Sequence, residues 1–375
     1  MHRGFLRTLV VLVTAVALLV GAATGSSAPL KKAPPSPIKG LVKSLKGLSP
    51  SAREAKLLDM AKQEGGSLVL YTSLSSLVVK PVVKAFETQY PGIKVDLFRG
   101  SSESVTQRVD QEAQAGVPGA DIIETNGTEM FFFQAKKNIL VPYSAAPNRR
   151  FVPARYRFDT YTADRLEEFV VAWNTNKVSS PPKSFQDLAD PKWKGQLAME
   201  PSDVDWFAAL YTYLTQHGGP HGKKLSPAKV TNIFRGIARN AQIIEGHTTQ
   251  ANLLAAGQFS VIVGGHAQSI EQLQAKKAPI AFKPFVKPVI ERPQGLGVAY
   301  RLRHPATALL FYDWILSSAG QKVMQDNGVQ PARTGFVDQS LSGAFKVRMD
   351  LRPIVHHYKA WADKYDAITR LGSGG

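Results

Sequence analysis

From residue 67 to residue 123 the chain alternates two hydrophobic periods, and this alternation limits the folds open to it. Residues 67–71 read as a strand. Val78, Val79, Val82, Val83 and Phe86 then mark one face of a helix that Pro91-Gly92 closes. Residues 93–98 read as a second strand, Val105, Val109 and Ala113 recur at helical spacing, and residues 120–123 read as a third strand. Strands alternating with helices imply a parallel sheet covered on both faces. A helix precedes them: Ser51 and Glu54 are spaced as a capping box, Leu57, Leu58 and Ala61 share a face, and Gly65-Gly66 stops it.

Residues 169–173 read as a strand ended by Asn174-Thr175-Asn176. Helices are expected over 227–241 and 249–256, strands over 259–263 and 297–300, and a further helix over 305–317. With 375 residues there is room for two domains, and 44% hydrophobic with 20% charged residues is a globular composition. No internal repeat of solenoid length stands out.

The formal charge of +17 favours meeting anionic ligands or surfaces. The basic residues are spread along the chain without a nucleic-acid motif or a long basic block, so no nucleic-acid partner is expected. The absence of cysteine excludes disulfides, thiolate metal sites, a thiol nucleophile and a lipid-modified N-terminal cysteine. Arg3 and Arg7, the apolar run from Leu9 to Val20 and the small residues from Gly21 to Ala28 form the pattern of a secretory signal peptide over residues 1–28. The protein is therefore expected to be exported to the periplasm, and no later stretch reads as a membrane span. Residues 29–50, rich in Pro, Lys, Gly and Ser without an acidic residue, read as a tether.

Several phrases stand in a telling order. Leu68-Val69-Leu70-Tyr71-Thr72-Ser73 is followed by Ala85-Phe86-Glu87, Tyr90-Pro91-Gly92-Ile93-Lys94-Val95, Arg99-Gly100-Ser101-Ser102 and Ala120-Asp121-Ile122-Ile123. Leu140-Val141-Pro142-Tyr143, Asp190-Pro191-Lys192-Trp193-Lys194-Gly195 and Asp205-Trp206-Phe207-Ala208-Ala209-Leu210 come next. Gly246-His247-Thr248, Ala255-Ala256-Gly257, Ser317-Ser318-Ala319-Gly320-Gln321-Lys322 and Pro331-Ala332-Arg333 close the series. Over roughly residues 67–334 the chain resembles the extracellular solute-binding proteins of ABC importers, in the branch that includes the ferric-iron binders.

The resemblance implies a type II periplasmic-binding-protein fold of class α/β. Two lobes, each a central sheet flanked by helices, would be joined by two crossover strands near residues 170–174 and 295–300. Lobe one would take residues 51–170, lobe two 171–294, and the return to lobe one with the C-terminal helices 295–375. It implies a monomer without cofactor and without enzymatic activity. Such a protein captures a small polar or anionic solute by lobe closure and delivers it to a membrane permease. The iron members carry adjacent tyrosines just after the strand matching residues 259–263. Here that place reads Gly265-His266-Ala267-Gln268, so iron is not carried over, hard Fe(III) favouring anionic oxygen ligands. A ferric binder using other ligands, and an exported hydrolase with an unrecognised site, are the alternatives.

Ligand contacts are expected where strands hand over to helices: Thr72 and Ser73, Ser101 and Ser102, Thr125 and Asn126, His247 and Thr248. In open α/β sheets ligands collect at the carboxyl ends of strands, and helix N-termini offer free N–H groups to anions. Each Ser or Thr would equally serve as a helix cap. Trp173, Trp206 and Tyr300 are candidates for stacking, and Asn174, Asp203 and His266 for hydrogen bonds. His217 and His221 have ligand spacing, but Gly218-Gly219-Pro220 breaks a helix between them; His356-His357 reads as surface. There is no Gly-x-Ser-x-Gly elbow and no Walker loop, and Gly295-Leu296-Gly297 meets Tyr300 where a dinucleotide fingerprint needs its third glycine.

The exported protein should begin between Ala23 and Pro29 and be soluble; N-terminal sequencing checks this, and an intact Met1 in the membrane fraction would refute it.

Overall fold

The computed structural model describes residues 38–136, 138–218, 222–337 and 339–372, and all that follows concerns these. The expected signal peptide over residues 1–28, the first part of the tether and His221 lie outside them.

Helices α1 (Lys39–Ser44) and α2 (Pro50–Gln63) lead into β1 (Ser67–Thr72), α3 (Ser76–Gln89), β2 (Lys94–Arg99), α4 (Ser102–Ala115), β3 (Ile122–Asn126), α5 (Gly127–Ala135) and β4 (Leu140–Val141). Strand β5 (Tyr161–Asn174) crosses into a second alternating series. This comprises α6 (Phe185–Leu188), β6 (Leu197–Met199), α7 (Val204–Gln216), α8 (Pro227–Asn240), β7 (Ala241–Ile243), α9 (His247–Ala255), β8 (Val261–His266), α10 (Ala267–Gln274) and β9 (Ile280–Ala281). Strand β10 (Val289–Ala299) returns to α11 (Pro305–Ile315), α12 (Ser318–Asp326) and β11 (Gln330–Pro331). The chain ends through β12 (Lys346–Arg348), α13 (Leu351–His356) and α14 (Tyr358–Thr369).

The sheet order is β2-β1-β3-β10-β5-β8-β6-β7. At one end β1 pairs in parallel with β2 and β3; at the other β6 pairs in parallel with β7 and β8. Between these halves β5 and β10 run antiparallel to each other and to their outer neighbours. This is the two-lobed α/β architecture expected. The crossovers are longer than expected, 14 and 11 residues, because their charged stretches are strand too. Asp164, Arg165, Glu167 and Glu168 are buried in β5, Glu291 and Arg292 in β10.

Three further differences have physical causes. The latter part of the expected tether is helix α1, whose Ile38, Leu41 and Leu45 lie at helical spacing and are buried in the core beside Leu57, Phe86 and Phe311. Helix α2 is capped by Ser49, whose hydroxyl accepts the N–H of Ala52 at 3.2 Å, rather than by Ser51. Pro50 at the first helical position favours that start. The C-terminal helices belong with the second lobe, not the first: Leu351, Ile354, Tyr365 and Ile368 share a core with Phe207, Leu210 and Phe234, and Tyr365 stacks on Phe207 at 4.9 Å.

Two glycines fix how helices meet the sheet. A Cβ on Gly127, the first residue of α5, would stand 2.2 Å from the Pro293 carbonyl, so only glycine lets α5 start against crossover β10. Gly264 has φ +88° and faces the Trp206 ring, where a Cβ would approach to 3.1 Å.

Leu45→Ala should lower unfolding free energy by about 2–5 kcal/mol, the usual cost of truncating a buried leucine. Exposed Lys43→Ala should stay within about 0.5 kcal/mol. Urea titrations decide; equal midpoints would show that α1 contributes no core.

Candidate ligand-binding cleft

Six strand-to-helix junctions converge on one cavity of about 340 Å³. From the first lobe come Ser73 and Ser75 after β1, Arg99, Ser101 and Ser102 around the start of α4, and Asn126, Thr128 and Glu129 around the start of α5. From the second come Glu200, Asp203 and Asp205 before and within α7, Gly246, His247 and Thr248 at α9, and His266 and Gln268 at α10. Arg165 and Glu167 of β5, Arg292 and Gln294 of β10, and Tyr358 complete the lining. Parallel strands end together, so each half-sheet delivers three helix N-termini to one edge.

Of the expected contacts, Ser73, Ser101, Ser102, Asn126, Asp203, His247, Thr248 and His266 line this cavity. Ser101 also caps α4, accepting the Ser104 N–H at 3.2 Å. Helix α9 starts at His247 rather than Thr249, with no side-chain cap.

The other six do not line it. Thr72 is buried, donates to Glu124 and accepts the Leu74 N–H at 2.9 Å, which shapes the turn into α3. Thr125 is buried outside the lining residues. Trp173 and Asn174 sit at the far end of β5. Because β5 runs antiparallel to β8, Phe169 lies opposite His266 at the cleft while Trp173 lies opposite Val261. Trp173 fills the second core, and the Asn174 amide donates to the Leu254 carbonyl at 2.8 Å. Tyr300 follows β10, which runs antiparallel to β3 with Gln294 opposite Asn126 and Val298 opposite Ile122, so it too leaves the cleft behind. Trp206 is core, packed edge-to-face on Phe234.

Carboxyl groups outnumber cations in the lining: Glu103, Glu129, Glu167, Glu200, Asp203, Asp205 and Glu245 against Arg99, Arg165 and Arg292, with two histidines. The excess of positive charge in the whole chain is not repeated here. Several of these acids are already engaged or neutralised. Asp205 accepts Arg292 at 3.2 Å through both oxygens and Thr128 at 2.6 Å. Burial pushes the Glu129 carboxyl up to about 8, with Arg292 opposing, and raises Glu167 and Glu200.

His247 and His266 stack with ring centroids 3.6 Å apart and planes 19° from parallel. The Nε2 of His247 is 3.1 Å from Asp203 Oδ1; the Nδ1 of His266 is 3.6 Å from Glu167 Oε1. Burial would lower His247, but the charges of Asp203 and Glu200 outweigh it and hold its pKa above the usual value. Burial first, and then the His247, Arg292 and Arg165 charges, push His266 well below. Ser75 Oγ, Asp203 Oδ2, His247 Nδ1 and His266 Nε2 are buried polar atoms without a hydrogen-bond partner among the described residues. Such atoms are costly unless a ligand or water satisfies them.

The residues missed by sequence reading are chiefly Arg99, Glu129, Arg165, Glu167, Glu200, Arg292, Gln294 and Tyr358, while Asp205, which by its spacing reads as solvated or capping, is buried at the cavity. For Arg165 and Glu167 the one available signal was the charged run from Asp164 to Glu168 directly before an apolar stretch, which by itself reads as exposed loop.

The opposed shifts give a pH signature. A depressed histidine leaves the folded state neutral while the unfolded chain takes up a proton below about pH 6.5, so His266 withdraws stability as pH falls through that value. His247, shifted upward, acts oppositely, its contribution lost as pH rises through its folded pKa. His266→Gln should therefore lose less stability than the native protein between pH 7 and pH 5; parallel denaturation curves at the two pH values for both proteins would contradict this.

Residues 82–347 match the model of a family described as bacterial extracellular solute-binding protein. The Fe(3+)-binding periplasmic protein of Serratia marcescens is 27% identical over 279 residues, covering 69% of this chain and 76% of that relative. Iron-bound HitA from Pseudomonas aeruginosa superposes with a TM-score of 0.67 at 16% identity, over 80% of this chain and 99% of its own. AfuA from Actinobacillus pleuropneumoniae, with exogenous fructose-6-phosphate bound, superposes with a TM-score of 0.69 at 20% identity, over 82% and 99%. The family match spans well over half the chain, and with the two-lobed fold it establishes that the chain belongs to the bacterial extracellular solute-binding proteins, the solute-capturing components of ABC importers.

Proposed function

We propose that this protein captures a small hydroxylated anion, such as a sugar phosphate or a hydroxy acid, and hands it chemically unchanged to an inner-membrane permease as an exported, soluble monomer. The observation that carries the ligand class is the stacked histidine pair. With His247 Nε2 3.1 Å from Asp203 Oδ1, the Nδ1 of the same ring is left without a hydrogen-bond partner among the described residues and would serve as a donor. The Nδ1 of His266 lies 3.6 Å from Glu167 Oε1, and its Nε2, left without a partner among the described residues, would serve as an acceptor. A hydroxyl group can accept from the first and donate to the second; a carboxylate or a phosphomonoester dianion has no proton for His266. Further acceptors for hydroxyls stand close by in Asp203 and Glu200.

The opposite wall suits the anionic end. The N-termini of α3, α4 and α5 meet there with Ser73, Ser101, Ser102 and Arg99. Helix N-termini carry partial positive charge and free N–H groups, which favour phosphate or carboxylate. A ligand that touches both walls stabilises the closed state by its affinity difference between open and closed forms. Among the structural relatives, AfuA was solved with a sugar phosphate.

Ferric iron is the second reading, favoured by the names of the Serratia relative and of HitA. Against it, Ala267 and Gln268 follow His266 where the iron binders carry tyrosines.

A thermal-shift panel separates the two. At about one hundred times its dissociation constant a ligand adds about 2.7 kcal/mol. Fructose 6-phosphate or a hydroxy acid should raise the melting temperature more than ferric citrate does. Stabilisation by iron alone, with a visible phenolate-type colour, would reverse the reading. In calorimetry with the ligand found, Ser102→Ala and Thr248→Ala should each weaken binding several-fold, on the order of 1 kcal/mol, with little change in the melting point of the free protein. Unchanged affinity with a lowered melting point would make both residues helix supports.

A further inference from the structure

The crossover strands have a second face. Side chains alternate along a strand. Arg165 and Glu167 of β5 and Arg292 and Gln294 of β10 face the cleft, whereas Leu166 and Glu291 line a separate cavity of about 300 Å³. Its other walls are the short segment Ala154–Tyr156, the stretch from Gln330 to Val337 that includes the Pro331-Ala332-Arg333 phrase, and strand β12. Nothing in the cleft chemistry uses these residues.

The two cavities are opposite in charge. The described lining of the second holds Arg155, Arg333, Lys346 and Arg348 against one carboxylate, Glu291. That carboxylate is buried and already occupied: it accepts the Tyr156 hydroxyl at 2.6 Å and Arg348 Nε at 3.1 Å, and Lys346 is 3.5 Å away. Lys346 also binds Glu168 at 2.7 Å. Neither Arg155 nor Arg333 forms an ion pair with a carboxylate among the described residues. Both guanidinium groups are held over aromatic rings, Arg155 over Tyr156 at 4.9 Å and Arg333 over Phe151 at 3.9 Å. Arg333 Nη1 donates to the Leu316 carbonyl at 2.9 Å and to Asn148 Oδ1 at 3.5 Å, which leaves Nε and Nη2. Such stacking fixes an arginine at low entropic cost and leaves its remaining N–H donors for a ligand. Burial and the like charge of Arg150 depress the Arg333 pKa.

We infer that the cavity behind the crossover strands is a second anion site, in which Arg155 and Arg333 grip a small phosphate-type oxyanion supplied either as inorganic phosphate or as the phosphoryl group of a metabolite. Its walls include both hinge strands and β12, which leads into the helices packed on the second lobe.

The test is titration calorimetry of inorganic phosphate and of glycerol 3-phosphate at fixed ionic strength set with chloride. The proteins compared are the native chain, Arg155→Gln, Arg333→Gln, the cleft variant Ser102→Ala and the exposed control Lys229→Gln. Arg155 is exposed, so its variant keeps the fold even if that of Arg333 does not. Arg155→Gln should weaken phosphate tenfold or more, while Ser102→Ala and Lys229→Gln leave this binding event unchanged. Binding of both probes assigns free phosphate as sufficient; binding of glycerol 3-phosphate alone assigns a phosphorylated metabolite. Native-like affinity in Arg155→Gln, loss of binding in Ser102→Ala instead, or no binding of either probe above the chloride background overturns the inference. Since the variants lie on opposite faces of the sheet, failure here and failure of the cleft reading give different patterns.

Discussion

Everything in this molecule hangs on the antiparallel pairing of β5 and β10 at the centre of the sheet. Eight residue pairs, from Ile290 with Phe169 to Gly297 with Tyr161, join the strands that carry the chain between lobes. Both are almost wholly buried, yet they carry Asp164, Arg165, Glu167, Glu168, Glu291, Arg292 and Gln294. Burying charge is costly, and an unpaired buried charge more so. The cost is contained by pairing across elements: Arg292 with Asp205, Arg165 with Glu124 and with Gln294, Lys346 with Glu168. Apolar residues there would be more stable on average but would offer nothing to a ligand at the hinge. A charged floor therefore has its rationale in binding rather than in stability.

Asp205 shows how this floor is built. It is carried by α7 of the second lobe, accepts Thr128 from α5 of the first, and is gripped by Arg292 of a crossover. One carboxylate thus joins three segments: α7, α5 and the crossover β10. Beside it, Glu129 is buried with its carboxyl pushed up to about 8, so near neutrality it is largely protonated and adds little repulsion to Asp205. Tyr358, from the C-terminal helices, stands against Phe132 of α5 at 5.0 Å and closes the same corner.

How much of this was legible in the sequence depended on whether a residue's role is set by its neighbours in the chain. Strand–helix alternation gave the half-sheets, and the handover positions together with the family resemblance pointed to Ser73, Ser101, Ser102, Asn126, His247 and His266, all of which line the cavity. The aromatic candidates failed for a non-local reason. Trp173 and Tyr300 end strands whose direction is reversed relative to their neighbours, which periodicity does not encode. Arg165, Glu167 and Arg292 were hidden because polar residues in a row read as exposed loop, and only long-range pairing makes them interior. The tether was misjudged because composition outweighed the spacing of Ile38, Leu41 and Leu45.

The charge pattern leads to a last distinction, between attraction at a distance and recognition in contact. A net charge of +17 sets a field that draws anions toward the protein and fades within a Debye length of about 8 Å at physiological salt. Inside the cleft that field gives way to fixed groups, and there carboxyls are in the majority. A bare anion gains from the field and from the helix N-termini of the first lobe, yet meets Asp203, Glu167 and Glu200 on the far side. A cation would meet the reverse. A solute that carries its charge at one end and hydroxyl groups at the other satisfies both walls, because carboxylates and the free His266 nitrogen accept the hydroxyl protons that an anion lacks. On the proposed reading, selectivity arises from this asymmetry between walls, with affinity shared between helix termini on one side and the paired imidazoles on the other.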